Sequence, residues 1–147
     1  MDIKVNDFLI SDNKAHLSIP TIHKYLSEDS YWAKGRPYNI VARSIENSMC
    51  IGAFTRVRNQ AGFARVVTDL STTYYICDLF VLPEYQGNGL GKAMVEFIIK
   101  HPSLKSLSGL LLTADAHGLY EKYGFENSEE VQRKFMMKPR VSSSIDL

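Results

Sequence analysis

The chain predicts a single α/β domain of the mixed α+β kind, and three observations carry that expectation. A β-prone apolar run at residues 74–82 stops at Pro83, passes glycines 87, 89 and 91, and enters an amphipathic helix that ends before Pro102. Ahead of it, residues 49–58 and 62–69 read as a hairpin around Asn59-Gln60-Ala61. The length, 147 residues with 45% hydrophobic and 22% charged, suits one substantial core.

Taken in order, residues 3–10 alternate weakly and end at Ser11-Asp12-Asn13, an edge strand and turn. Ser18 and Pro20 start a short helix with Ile22, Tyr25 and Leu26 as its buried stripe, ending near Glu28. Tyr31, Trp32, Lys34, Gly35 and Arg36 then gather aromatic and cationic groups in a loop, and Pro37 opens a second helix through Ile40, Val41, Ser44 and Ile45 to Asn47. In the second hairpin strand Phe63, Arg65, Val67 and Asp69 share one face, which fits either the wall of a polar pocket or a charge pair between sheet and solvent. In the next strand Ile76, Asp78, Phe80 and Leu82 are expected on one face, where a carboxylate needs a partner or a job. The helix after the glycines buries Leu90, Met94, Phe97 and Ile98 and exposes Lys92, Glu96 and Lys100. Residues 107–113 are a buried strand, and Thr113 or Asp115 caps a helix with the stripe Ala116, Leu119, Tyr120 and Tyr123, stopped by Gly124. Phe125 and residues 134–137 are expected to complete the sheet, and residues 139–147 form a polar tail.

Charge is balanced at +1 and unclustered, so neither a nucleic-acid nor a membrane partner is expected. No apolar run reaches a membrane span and the first residues lack a signal peptide's pattern, so a cytoplasmic protein is expected. Cys50 and Cys77 sit in apolar strands and read first as buried free thiols, with a disulfide, a metal site or a nucleophile as the other readings; no metal-ligand spacing is present.

A glycine loop feeding a helix leaves first-turn N–H groups aimed at whatever fills the loop, and with the positive end of the dipole they suit a diphosphate. A Walker loop is excluded, because Gly87 and Gly91 are too close and Ala93 stands where a hydroxyl is needed. The dinucleotide fingerprint fails as well, since the glycines run G-x-G-x-G. What remains, Gln86-Gly87-Asn88-Gly89-Leu90-Gly91, resembles the Q/R-x-x-G-x-G/A pyrophosphate loop of the GNAT superfamily of acyl-CoA-dependent N-acyltransferases. About thirty residues on, Leu119-Tyr120-Glu121-Lys122-Tyr123-Gly124-Phe125 is similar to the segment that closes the same family's cofactor site, and the likeness spans roughly residues 50–137.

That resemblance implies a GNAT-like domain over residues 1–138, with a central mixed, mostly antiparallel twisted sheet of six to seven strands flanked by about four helices. It implies acetyl-CoA as acyl donor, a small-molecule primary amine as acceptor, and direct transfer in a ternary complex; a homodimer is admitted as an assembly. By the same resemblance the diphosphate lies on Gln86, Gly87, Asn88, Gly89, Leu90, Gly91 and Lys92, the pantetheine arm on the backbone of Leu79, Phe80 and Val81, and an amide of Phe80 or Val81 faces the oxyanion. Tyr31, Trp32 and Arg36 fall on the acceptor side, Trp32 having a plain packing role as the alternative; Arg65, Asp69 and Asp78 supply the polar wall. Tyr120 is the candidate general acid, since a phenol near pKa 10 can protonate a thiolate whose thiol is near about 8.5; a core aromatic is the bland reading. Asp78 is the candidate base, amine anchor or structural partner, and its ordinary pKa near 3.9 is low for the first role.

The chain departs from the family pattern at Thr113, where an asparagine is common, and at Gln86, where arginine is commoner. A ping-pong route through Cys77, a non-catalytic acyl-CoA-binding or sensing module and a nucleotide-binding switch are the rival readings.

Overall fold

The computed structural model describes residues 1–141; residues 142–147, most of the predicted polar tail, lie outside the described residues. Six strands form one sheet in chain order: β1 (Asp2–Val5), β2 (Phe8–Ser11), β3 (Met49–Phe54), β4 (Gln60–Thr68), β5 (Thr73–Val81) and β6 (Ser108–Leu111). Every neighbouring pair is antiparallel except β5 and β6, which are parallel because α3 (Leu90–Lys100) carries the chain back between them.

The sheet is covered on both faces. Against one face α3 buries Leu90, Met94, Phe97 and Ile98 on Ile51, Ala64, Val66 and Ile76, the stripe that the sequence predicts. Each such fully buried side chain contributes roughly 1.5–3 kcal/mol. Against the other face, α1 (Ile19–Lys24) and α2 (Tyr38–Glu46) bury Ile22, Leu26, Val41 and Ile45 on Cys50, Phe63 and Phe80. Ser18 caps α1 as expected, its hydroxyl accepting from the Thr21 N–H. The end of α1 widens into a π turn over residues 25–29, and buried Ser30 closes it by donating to Leu26 O at 2.6 Å. A part-buried hydrogen bond between His101 Nε2 and Asp12 Oδ2 at 2.9 Å ties the end of α3 to the turn after β2.

Three expectations need correction. Residues 3–10 are not one strand but the β1–β2 hairpin, turned at Asn6 with φ 54°. Among the described residues the sheet gains no strand after β6; ahead of the expected 134–137 strand, residues 129–134 are α5, which Ser128 caps through the Val131 N–H and whose acidic start and basic end match the dipole. α4 (His117–Glu121) and α5 sit beyond the β6 edge, and Phe135, Met136 and Met137 are exposed rather than paired.

The third correction shapes the site. Phe63 pairs with Phe80 and Arg65 with Cys77, so Ala64 stands opposite both Asp78 and Leu79: a β-bulge, with Asp78 at φ 50°. One extra residue turns the strand over. Ile76 therefore packs toward α3 while Phe80 packs toward α1 and α2, and the four residues expected on one face are divided between two.

Candidate active site

The glycine loop starts α3 without a side-chain cap. Gly89 occupies the N-cap at φ 74°, and the first helical bond is Ala93 N–H to Gly89 O, so the N–H groups of Leu90, Gly91 and Lys92 have no helical partner. Gly87 lies at φ 87°, and a Cβ at either glycine would meet nothing within 4 Å, so the backbone conformation, not crowding, demands glycine here. Gly89→Ala is expected to lower stability by about 1–2 kcal/mol, read as a shifted urea midpoint at unchanged slope. Gln86 is held to the loop by its amide, which donates to Val81 O at 3.2 Å, and the Asn88 amide donates to Tyr85 O at 2.9 Å; Lys92 is exposed.

Upstream, β5 pairs with β6 only from Thr73 to Ile76. Residues 77–81 thus present an open edge on that side. The Leu82 N–H donates to Ala61 O on the β4 side, so by alternation Phe80 faces β4 and the backbone groups of Leu79 and Val81 point to the open edge. Phe80 is thereby removed as a free donor; it contributes instead a buried ring stacked on Tyr25 at 4.1 Å.

Tyr120, on α4, is 8% exposed. Its hydroxyl has no hydrogen-bond partner among the described residues and is not sealed from solvent. Burial, reinforced by the charges of Tyr31 and Asp115, raises its phenol above the ordinary value. A cavity of about 610 Å³ between β6, α4 and α5 includes Tyr120 and Thr113 but no residue of the glycine loop. Thr113 is occupied locally, its hydroxyl accepting from the Ala116 N–H.

The acceptor-side residues converge on Asp78. Its Oδ1 accepts from Trp32 Nε1 at 2.9 Å, while Oδ2 accepts from both Arg36 at 3.0 Å and Arg65 Nε at 2.8 Å. Arg65 is steadied by Ser48, whose hydroxyl accepts a second N–H at 3.3 Å. Burial alone would raise the Asp78 carboxyl, but the two guanidiniums and the bonds from Arg65 and Trp32 together hold it below the ordinary carboxylate range. A carboxylate so held is ionised at neutral pH and already accepts from three donors, the arrangement that the structural-partner reading describes. Tyr31 leaves this cluster to span the open edge, its hydroxyl accepting from the Ala114 N–H at 3.2 Å.

Asp69 does not join. Its oxygens accept from the Thr72 hydroxyl and from the N–H groups of Ser71, Thr72 and Thr73, closing the β4–β5 turn, and these bonds lower its carboxyl on an exposed surface. The predicted pocket of Asp69 with Asp78 is thus not formed. Both thiols are free; burial pushes Cys50 up to about 11 and raises half-buried Cys77, which leaves little thiolate for a ping-pong route. Sequence reading passed over Ser48 and treated Tyr25 as scaffold. The pairing of β3 on β4 brings Ser48 to Arg65, and the π turn after α1 brings Tyr25 onto Phe80.

A family model described as an acetyltransferase (GNAT) domain matches residues 46–127. A protein from Gibberella zeae named as an acetyltransferase is 28% identical over 79% of this chain and 77% of its own length. The chain spans about half the length, 46% and 47%, of two soybean acetyltransferases that it also matches. Among solved structures, a GNAT-family protein from Xanthomonas campestris is 38% identical, with a TM-score of 0.86 over 98% of this chain and 100% of its own. A GNAT acetyltransferase from Elizabethkingia anophelis with acetyl-CoA bound shares the fold at 18% identity, with a TM-score of 0.60 over 82% of this chain and 77% of its own.

Proposed function

The chain belongs to the GNAT family of acetyltransferases, and from that premise we propose that it moves an acetyl group from acetyl-CoA to a primary amine by direct attack with both substrates bound. The observation that carries this reading is the uncapped glycine start of α3 lying directly beyond a strand edge that β6 leaves open. These features suit a diphosphate followed by an extended amide-bearing arm. The cofactor held by the Elizabethkingia neighbour supports the same choice.

Bound acetyl-CoA would supply a thioester as the acyl donor. The free N–H groups of residues 90–92 would hold its diphosphate, with Gln86 fixed aside by Val81 and Lys92 near at hand. Leu79 and Val81 offer backbone donors along the open edge, and the second of them replaces Phe80 as the donor for developing oxyanion charge. Tyr120 Oη keeps its proton through neutral pH, because its phenol is raised, and can give it to a leaving thiolate.

The Asp78 carboxylate, held below its ordinary range, is a weak acceptor for the amine's proton, and that proton is assigned to water. An alkyl amine of pKa near 10 is only about one part in a thousand neutral at pH 7. The rate kcat/KM is therefore expected to climb with pH toward the acceptor's own pKa, with no inflection in the carboxylate range; a profile that levels near pH 5 would return a base to the site. The function itself is tested by calorimetry with CoA and by thiol release across an amine panel. Heat with CoA and turnover on an amine are expected. Binding without turnover on any acceptor would make the chain a sensing module, and no heat with CoA would overturn the reading.

A further inference from the structure

We propose that the acceptor carries an anionic group, a carboxylate or a phosphate, which docks on the outward N–H groups of Arg36 and Arg65; this rests on the acetyltransferase reading above. Both guanidiniums reach the same oxygen of Asp78, and neither does so as a bidentate fork. Of the five N–H groups each carries, Arg36 uses one on the protein and Arg65 uses two, one of them on Ser48. No unpaired side-chain nitrogen among the described residues is sealed from solvent, so the remaining donors open outward.

The charges do not cancel. Two cations, with side chains 19% and 15% exposed, face one carboxylate that is 3% exposed, and no other carboxylate pairs with them among the described residues. Cys77, which lies opposite Arg65, is a neutral thiol. The niche thus holds one uncompensated positive charge in a partly desolvated place, beside the rings of Trp32 and Tyr31. A planar fork with free N–H groups matches a carboxylate or a phosphate.

The cofactor's own phosphates do not account for it. The Arg pair lies on the side of the sheet that α1 and α2 cover, whereas the glycine-loop donors belong to α3 on the other side. A ligand on the second leaves the first open. The cationic amine that Asp69 and Asp78 could have taken is, by the same geometry, disfavoured at this place.

The test measures thiol release with acetyl-CoA and four matched acceptors: β-alanine, 2-aminoethyl phosphate, ethanolamine and 1,3-diaminopropane. The anionic pair is expected to exceed ethanolamine by about tenfold or more in kcat/KM, mainly through KM, since a charged hydrogen bond is worth that much. The ratio between β-alanine and the phosphate tells which anion fits. Arg36→Gln should bring the anionic-to-neutral ratio toward one; Arg65→Lys, which keeps the charge on Asp78 but loses the fork, should lower it in the same sense. A preference for ethanolamine or the diamine, or variants that slow all four acceptors equally, would overturn the proposal while leaving the acetyltransferase reading intact. Trp32, the single tryptophan, decides the case without turnover. Its fluorescence should respond saturably to β-alanine or aminoethyl phosphate in the wild type with CoA present and lose that response in Arg36→Gln, and no response to either anion would also overturn the proposal.

Discussion

Asp78→Ala is expected to destabilise the domain by about 3 kcal/mol, the low end for removing one partner of a buried ion pair, because the two stranded guanidiniums keep some access to water. The change also takes away the acceptor for the Trp32 indole, so the 31–36 loop should loosen with it. Asp78→Asn separates charge from shape. Asparagine tolerates the left-handed conformation at φ 50° and can still accept from Trp32, so the loss should be smaller, about 1–3 kcal/mol. Urea unfolding checks both values. The pH dependence has a definite sign: the folded carboxyl lies below its unfolded value, so its contribution is complete above the ordinary carboxylate pKa and is lost as pH falls through the lower folded one. The acid limb of the wild-type stability curve should therefore flatten in Asp78→Asn. An unchanged limb would mean that Asp78 is not ionised against the two arginines.

Tyr120→Phe should lower kcat by tenfold to about a hundredfold with the fold intact, since general acid catalysis contributes on the order of 10² or more. Phenylalanine keeps the edge contact with Phe125 at 6.0 Å and the buried volume, so the unfolding midpoint should hardly move. The unbonded hydroxyl makes this a clean experiment, because no protein hydrogen bond is broken with it. Equal kcat in both proteins would reduce Tyr120 to a core aromatic and pass the proton to solvent.

The sequence made the strand, glycine loop and α3 legible because each has a local signal: a β-branched run, a proline stop, alternating glycines and a 3.6-residue stripe. Trp32, Arg36, Arg65 and Asp78, the predicted acceptor-side residues, were recognisable by type, yet not as one cluster. Their bonds join residues 46, 42 and 13 positions apart, and nothing local encodes that distance. Asp78 was left between base, amine anchor and structural partner for the same reason, since its two arginines arrive from different elements. Asp69 was misread because a carboxylate that holds its own turn looks, in sequence, like one that faces a pocket. The missing last strand is the apolar stretch 134–137, which follows the polar helix that Ser128 caps and stays exposed instead of joining the sheet.

The extra residue at Asp78 makes the parity of this strand a functional quantity. Pairing the same residues without the bulge would move Phe80 from the α1–α2 layer to the α3 layer and swap which amides look outward. A counterpart lacking one residue at this point would reach the same faces by plain alternation, whereas one that slipped its register by one would turn Phe80 over.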